Sequence, residues 1–171
     1  MQERADIFTE AFEAHADELF RHASMRLSDR ERAVELVQDS FVRAFEYVRR
    51  GGTIEDMRPF LYRTLRNLII DEYRKHKTVS LEGLLGEDES SVETLLPTDD
   101  SNTLESAMDR IEAARVLELV SQLPELYKEA ILLRFVEGLS LKEIAQALGE
   151  SENVVSVRVH RALKKLRTLA E

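Results

Sequence analysis

The side chains best suited to chemistry cluster near the C-terminus. From Val154 to Leu169 the chain carries Arg158, Arg161, Lys164, Lys165 and Arg167, together with His160 and no acid. Just ahead stand Glu152, Asn153 and Ser156. Cationic groups at helical spacing hold phosphates, and short polar groups at a helix N-terminus reach base edges in a groove. A second set, Arg63, Arg66, Asn67 and Arg74, falls at i, i+3, i+4 and i+11, which puts all four on one helical face. An amide set among guanidiniums suits phosphate tracking with one base-directed contact. Both sets belong to recognition rather than to bond breaking.

The elements around the first set read as a helix-turn-helix. Ser140 with Glu143 three residues later forms a capping box. Ile144, Ala145 and Leu148 then face inward, with Ala145 small where a second helix must cross closely. Gly149 supplies the left-handed residue of a tight turn, and Ser151 caps the next helix. In that helix Val155, Val159, Ala162 or Leu163, and Leu166 form the buried stripe. DNA binding by this half is the expectation.

The N-terminal half is also helical. Phe8, Phe12, Leu19, Phe20, Ala23 and Leu27 mark a first amphipathic helix, broken and recapped at Ser28-Asp29. Ala33, Leu36, Val37, Phe41, Ala44, Phe45 and Val48 recur at three- and four-residue steps in a second. Gly51-Gly52 ends it, and Pro59 opens a third that runs to about Lys77. Leu61, Leu65, Leu68 and Ile69 take the side opposite Arg63 and Asn67. Helix resumes around Leu104, and Leu123-Pro124 marks a further boundary. The expected fold is all-α, with two small helical domains, residues 1–77 and 108–171, joined by a linker over 78–107 that includes a helical turn near Leu81–Leu85.

A formal net charge of −9 over 171 residues looks wrong for a nucleic-acid binder until its distribution is followed. Residues 78–110 hold one Arg against nine acids, whereas the flanking segments are nearly balanced. Binding depends on local patches, so the global sign excludes nothing. No cysteine occurs, which excludes disulfides and zinc-thiolate sites and suits a reducing cytoplasm. The N-terminus lacks the layout of a secretion signal, and no apolar run reaches the ~18 residues that span a bilayer. Cytoplasmic placement without membrane insertion follows as the expectation.

The stretches Ala33–Phe45 and Pro59–Lys77 resemble region 2 of the extracytoplasmic-function sigma factors. Leu123-Pro124, Leu133-Arg134 and Glu137-Gly138-Leu139-Ser140, with the helix-turn-helix, resemble their region 4. The resemblance covers nearly the whole chain outside the linker, in the family's order and at its separation. It implies a sigma factor that binds core RNA polymerase and promoter DNA, with no cofactor and no metal. The helix bearing Glu35, Leu36, Gln38, Asp39 and Phe41 looks like the one that docks on the polymerase. Gln38 and Asp39 can pair with Arg and amide donors there, while Phe41 is expected in the core. The helix from Pro59 is similar to the one that reads the −10 element, so Arg63, Arg66, Asn67 and Arg74 are the expected contacts. The last helix would read the −35 element through Glu152, Asn153, Ser156, Arg158, His160, Arg161 and Lys164. An anti-sigma factor is a family-typical partner, able to hold the protein at the membrane face. Phe60 departs from the family, which often has Trp there, and the expected consequence is confined to packing. The acidic linker would thread the channel through which RNA later leaves, or serve as a spacer.

Three other readings compete, one of them a helical adaptor that binds protein only, against which the basic last helix argues. An enzyme would need a phosphate-cradling glycine loop, a nucleophile motif or a metal-ligand cluster, and His15, His22, His76 and His160 are scattered instead. An ordinary regulator with a sensing module would have no reason to carry both Gln38-Asp39 and Arg66-Asn67.

Overall fold

Residues 2–79 and 104–171 are described in a computed structural model, with side chains for 2–76 and 112–171. The expected turn near Leu81–Leu85 and the acidic run of the linker lie outside these residues. Three helices form the N-terminal half: α1 (Gln2–Arg26), α2 (Arg30–Arg49) and α3 (Met57–Val79). The C-terminal half contains α4 (Leu104–Ser121), α5 (Glu125–Ile131), a π-helical turn over Leu132–Val136, α6 (Leu141–Leu148) and α7 (Glu152–Ala170). Among the described residues there is no strand.

The breaks fall where local chemistry puts them. The Asp29 carboxylate accepts the Arg32 backbone N–H at 3.2 Å, which satisfies one of the orphan donors at the start of α2. Gly51 ends α2 at φ 95°, in the region that favours glycine, and a Cβ on Gly52 would overlap the Tyr47 ring. Past Pro124, α5 widens into the π turn, where the Glu137 N–H reaches the Leu132 carbonyl at 2.9 Å. The Arg134 guanidinium takes up the Leu139 carbonyl at 2.9 Å just beyond it.

The three N-terminal helices close on Leu19, Ala23, Ala33, Leu36, Val37, Phe41, Ala44, Leu61, Leu65, Leu68 and Ile69, all buried. Alanines at the crossings let the backbones approach. Aromatic pairs fasten the rim: Phe8 meets Phe45 edge-on at 5.3 Å, and Phe12 meets Phe41 at 5.1 Å. Phe60 lies on Tyr47 at 5.2 Å, a packing role as expected for that departure from the family.

The two halves do not stand apart. α6 packs along α3, and the N-terminal core continues without interruption into Leu133, Leu139, Ile144, Leu148, Val155 and Val159. A smaller cluster of Val120, Leu123, Ile131, Leu132 and Ala162 anchors α7 on α4 and α5. Sequence periodicity places apolar residues inside but cannot say which half shares their cover, so this union of two domain cores is a finding of the structure.

Candidate nucleic-acid and polymerase interface

The helix-turn-helix has the geometry its sequence predicts. Ser140 Oγ accepts the Glu143 N–H at 3.1 Å, while Glu143 Oε1 accepts the Ser140 N–H at 3.1 Å, completing the capping box. Gly149 sits at φ 67° and ψ 36°, and Ser151 Oγ accepts the Val154 N–H at 3.2 Å to start α7. Val155, Val159 and Ala162 are buried and Leu163 and Leu166 half-buried, so the stripe falls where expected.

Opposite that stripe, Glu152, Asn153, Ser156, His160, Arg161 and Lys164 are exposed. Arg158 departs from the expected set. A helical step of 100° leaves it at the edge of the buried stripe, where its guanidinium donates to Glu150 Oε1 at 2.8 Å and its side chain is only 13% exposed. Its second terminal nitrogen, Nη1, is buried with no hydrogen-bond partner. Arg158 therefore braces the turn between α6 and α7 instead of joining the open face.

On α3 the residues expected together are divided. Arg63, Asn67 and Arg74 are exposed on one face, with the Asp71 carboxylate 3.9 Å from the Arg74 guanidinium. Arg66 lies at the rim of that face and turns inward, its Nε donating to Glu129 Oε1 at 2.7 Å. On α2, Glu35, Gln38 and Asp39 are exposed, with Glu35 paired to Arg32 at 2.6 Å. Leu36 is 1% exposed and packs in the core beside Phe41, which corrects its expected place among the docking contacts. Its apolar side chain fixes the helix from beneath and presents nothing to a partner.

Sequence reasoning missed the polar seam between the halves. Arg21 donates to both Glu137 oxygens, at 3.2 and 2.6 Å. Arg26 reaches Glu129 at 3.0 Å and Glu125 at 3.4 Å. Arg58 donates to the Glu137 carbonyl at 2.7 Å and to Glu143 at 3.4 Å, and is held from its own side by Glu18. The Tyr62 hydroxyl donates to Glu137 at 3.3 Å. Burial and the Glu137 and Glu18 carboxylates push the Tyr62 phenol well above its ordinary value. Burial disfavours the Arg26 charge, but Glu129, Tyr73 and Glu125 outweigh it and raise the pKa. His22 is also buried against this wall, its ring edge-on to Tyr62 at 5.5 Å. Partners 63 to 116 residues apart leave no local signature, and no spacing rule could have joined them.

Among the described residues no group of His, Asp and Glu could hold a metal ion, and no helix is long and apolar enough to cross a membrane. The surfaces on offer are three exposed helix faces.

Both halves of the chain resemble known proteins. Residues 11–79 match the family model for sigma-70 region 2, and residues 113–166 the model for sigma-70, region 4. RNA polymerase sigma factor SigV of Bacillus subtilis is 30% identical over 153 residues, spanning 90% of this chain and 84% of that protein. ECF RNA polymerase sigma factor SigL of Mycobacterium tuberculosis is 32% identical over 162 residues, with 94% and 87% covered. The sigma factor RpoE of Bartonella quintana, solved in complex with the anti-sigma factor NepR, has the same fold. It superposes with a TM-score of 0.73 at 21% identity, over 95% of this chain and 96% of that one. With both sigma-70 regions matched in order and relatives matched along nearly its whole length, the chain belongs to the extracytoplasmic-function group of sigma-70 family sigma factors, which direct transcription initiation with RNA polymerase.

Proposed function

We propose a division of labour among the three exposed helix faces. Glu35, Gln38 and Asp39 of α2 dock on core RNA polymerase, accepting from Arg and amide donors at the rim of an otherwise apolar contact. Arg63, Asn67 and Arg74 of α3, with Arg66 at their edge, hold the melted −10 strand. Asn153, Ser156 and Glu152 at the start of α7 read base edges of the −35 duplex, while His160, Arg161 and Lys164 hold its phosphates. The protein then acts by binding and placement, with no catalytic step of its own. It works where the polymerase is, in the cytoplasm, and an anti-sigma factor can hold it there or at the membrane face. The bound NepR in the RpoE structure supports that last partner by likeness of fold.

One observation carries this reading. The capping box, the left-handed Gly149 and the Ser151 cap set α7 against α6 with a cationic face, acid-free from Val154 to Leu169, turned to solvent. The test is co-elution of the purified chain with core RNA polymerase, followed by run-off transcription on a genomic promoter library. Stable co-elution and new transcripts are expected, and Asp39→Arg abolishes both while helical content is kept. A chain that neither binds polymerase nor alters its transcripts, but dimerises and binds duplex DNA alone, is an ordinary regulator.

A further inference from the structure

The open face of α7 carries an apolar residue in its middle. Val157 stands two residues from Val155 and two from Val159, which turns it about 160° away from each of those buried side chains. It is 41% exposed, and Val154, one turn earlier, is 42% exposed. Residues three and four apart are neighbours on a helix surface, so Val157 has Asn153 and Val154 on one side and His160 and Arg161 on the other. All four are exposed. The other large apolar side chains left open among the described residues of the C-terminal half, Val116, Leu126 and Phe135, belong to α4, α5 and the π turn.

A single exposed valine is ordinary on a protein surface. Two of them at i and i+3, set into a cationic face, are not explained by folding. A β-branched side chain is stiff in a helix and forms helix less readily than alanine or lysine, and no burial offsets that cost here. Lysine at either place would serve solvation better. A ligand with an apolar group supplies the missing reason. In the major groove the bases present polar donors and acceptors, and thymine alone adds a C5-methyl, which apolar side chains recognise by contact. Val157 lies between Asn153, at the end of α7 that reaches base edges, and Arg161, at the end that holds phosphates. A valine offers a phosphate nothing, so what it meets on this face is a base.

We infer that Val157, with Val154 beside it, is a specificity-determining residue that reads thymine in the −35 duplex through its C5-methyl group. The contact favours an A·T pair over a G·C pair at its position and fixes which strand bears the thymine. This inference rests on the proposed reading of the −35 duplex by α7, and it adds an apolar contact to the polar and charged ones named there. Burying one methyl is worth about a factor of four in affinity. The salt response is untouched, because an apolar contact neutralises no phosphate and releases no counterion.

The test uses holoenzyme assembled from the full chain and core polymerase, on a promoter fragment from the run-off screen. Each thymine of the −35 element is replaced in turn by deoxyuridine, which deletes the methyl and nothing else. With the wild-type chain, deoxyuridine at one or two of these positions should lower affinity about fourfold each. Val157→Ser should bind thymine and deoxyuridine alike at the sensitive position, and Val157→Ile, which stays apolar, should keep the preference. Both variants should keep the wild-type slope of log K against log salt. The ratio of the two affinities is taken on one protein preparation, so any unfolded fraction cancels. A −35 element without an A·T pair overturns the inference, and so does a methyl preference that survives in Val157→Ser. Indifference of the wild-type chain to every deoxyuridine also overturns it and leaves the valine to a protein contact. If the −35 element can be scrambled without loss of binding, the reading of the duplex by α7 fails as well. Loss on scrambling, with no response to deoxyuridine, sinks the role of Val157 alone.

Discussion

Helices α3 and α7 carry similar cationic patterns and differ in what holds the arginine at the edge of each. α7 turns its open face to solvent, and the one arginine that departs from it, Arg158, is held locally by Glu150 eight residues away. α3 runs under the C-terminal half, and its Arg66 is held by Glu129, 63 residues away. A charge pattern in sequence identifies which helix could meet nucleic acid. Whether that helix is free to do so is decided by a partner the pattern does not contain.

The strongest way to break this comparison is to remove one carboxylate from each side. Glu129 accepts from Arg26 and Arg66, and the Arg26 side chain is only 3% exposed. Glu129→Ala leaves Arg26 without its buried partner and should cost about 3–5 kcal/mol in denaturant unfolding. Glu150→Ala loosens a pair that water reaches and should cost about 1 kcal/mol or less. Equal losses would mean that the seam is no more enclosed than the α7 turn.

Much of the fold was legible because its causes are local. Asp29, Gly51, Ser140, Glu143, Gly149 and Ser151 each act within a few residues of themselves, and each stands where the sequence put it. The exposed faces of α2 and α7 followed from helical period alone. Two residues lie deeper than their assigned roles imply, for one reason: counting along a helix places a residue on a face but not at a depth. Leu36 lies next to the docking residues yet packs in the core, and Arg158 lies in a basic run yet sits at the edge of the buried stripe. The seam was illegible altogether. Glu129 and Glu137 read as ordinary surface acids of short helical segments, and only folding brings Arg21, Arg26 and Arg66 to them.

Acid should weaken the enclosed wall. Burial, with Arg26 and Arg21 nearby, pushes the His22 imidazole down to about 3 from an ordinary 6.5. The folded chain keeps this ring neutral, whereas the unfolded chain protonates it below its ordinary value. The contribution of His22 is therefore fully present above pH 6.5 and is lost as pH falls from there towards 3. The limiting slope is about 1.4 kcal/mol per pH unit, or roughly 2 kcal/mol between pH 6.5 and 5. His22→Phe keeps an edge-on ring against Tyr62 and should flatten that part of the stability profile. An unchanged profile would remove His22 as its source.

A smaller effect is expected at the turn. Gly149→Ala forces a Cβ into a left-handed conformation and should cost about 1–2 kcal/mol of stability, although space for a methyl is available. Thermal unfolding measures it. A neutral result would mean that the backbone between α6 and α7 can relax, and the placement of α7 would then need another cause.

The finest distinction lies within α7, between cations one turn apart. Arg161 is exposed on the open face, while Arg158 is tied to Glu150 beside the buried stripe. Each phosphate contact lowers the slope of log K against log salt by about 0.9 for duplex DNA. With holoenzyme on a promoter fragment, Arg161→Ala should therefore flatten the slope by about one, and Arg158→Ala should leave it unchanged. Arg158→Ala should also lose the brace on Glu150, lowering stability by up to about 1 kcal/mol. The slope separates the two effects, because a folding defect lowers binding at all salt concentrations alike, whereas a lost phosphate contact changes how binding responds to salt. Equal flattening by both variants would return Arg158 to the DNA face and show that its pair with Glu150 opens when the duplex arrives.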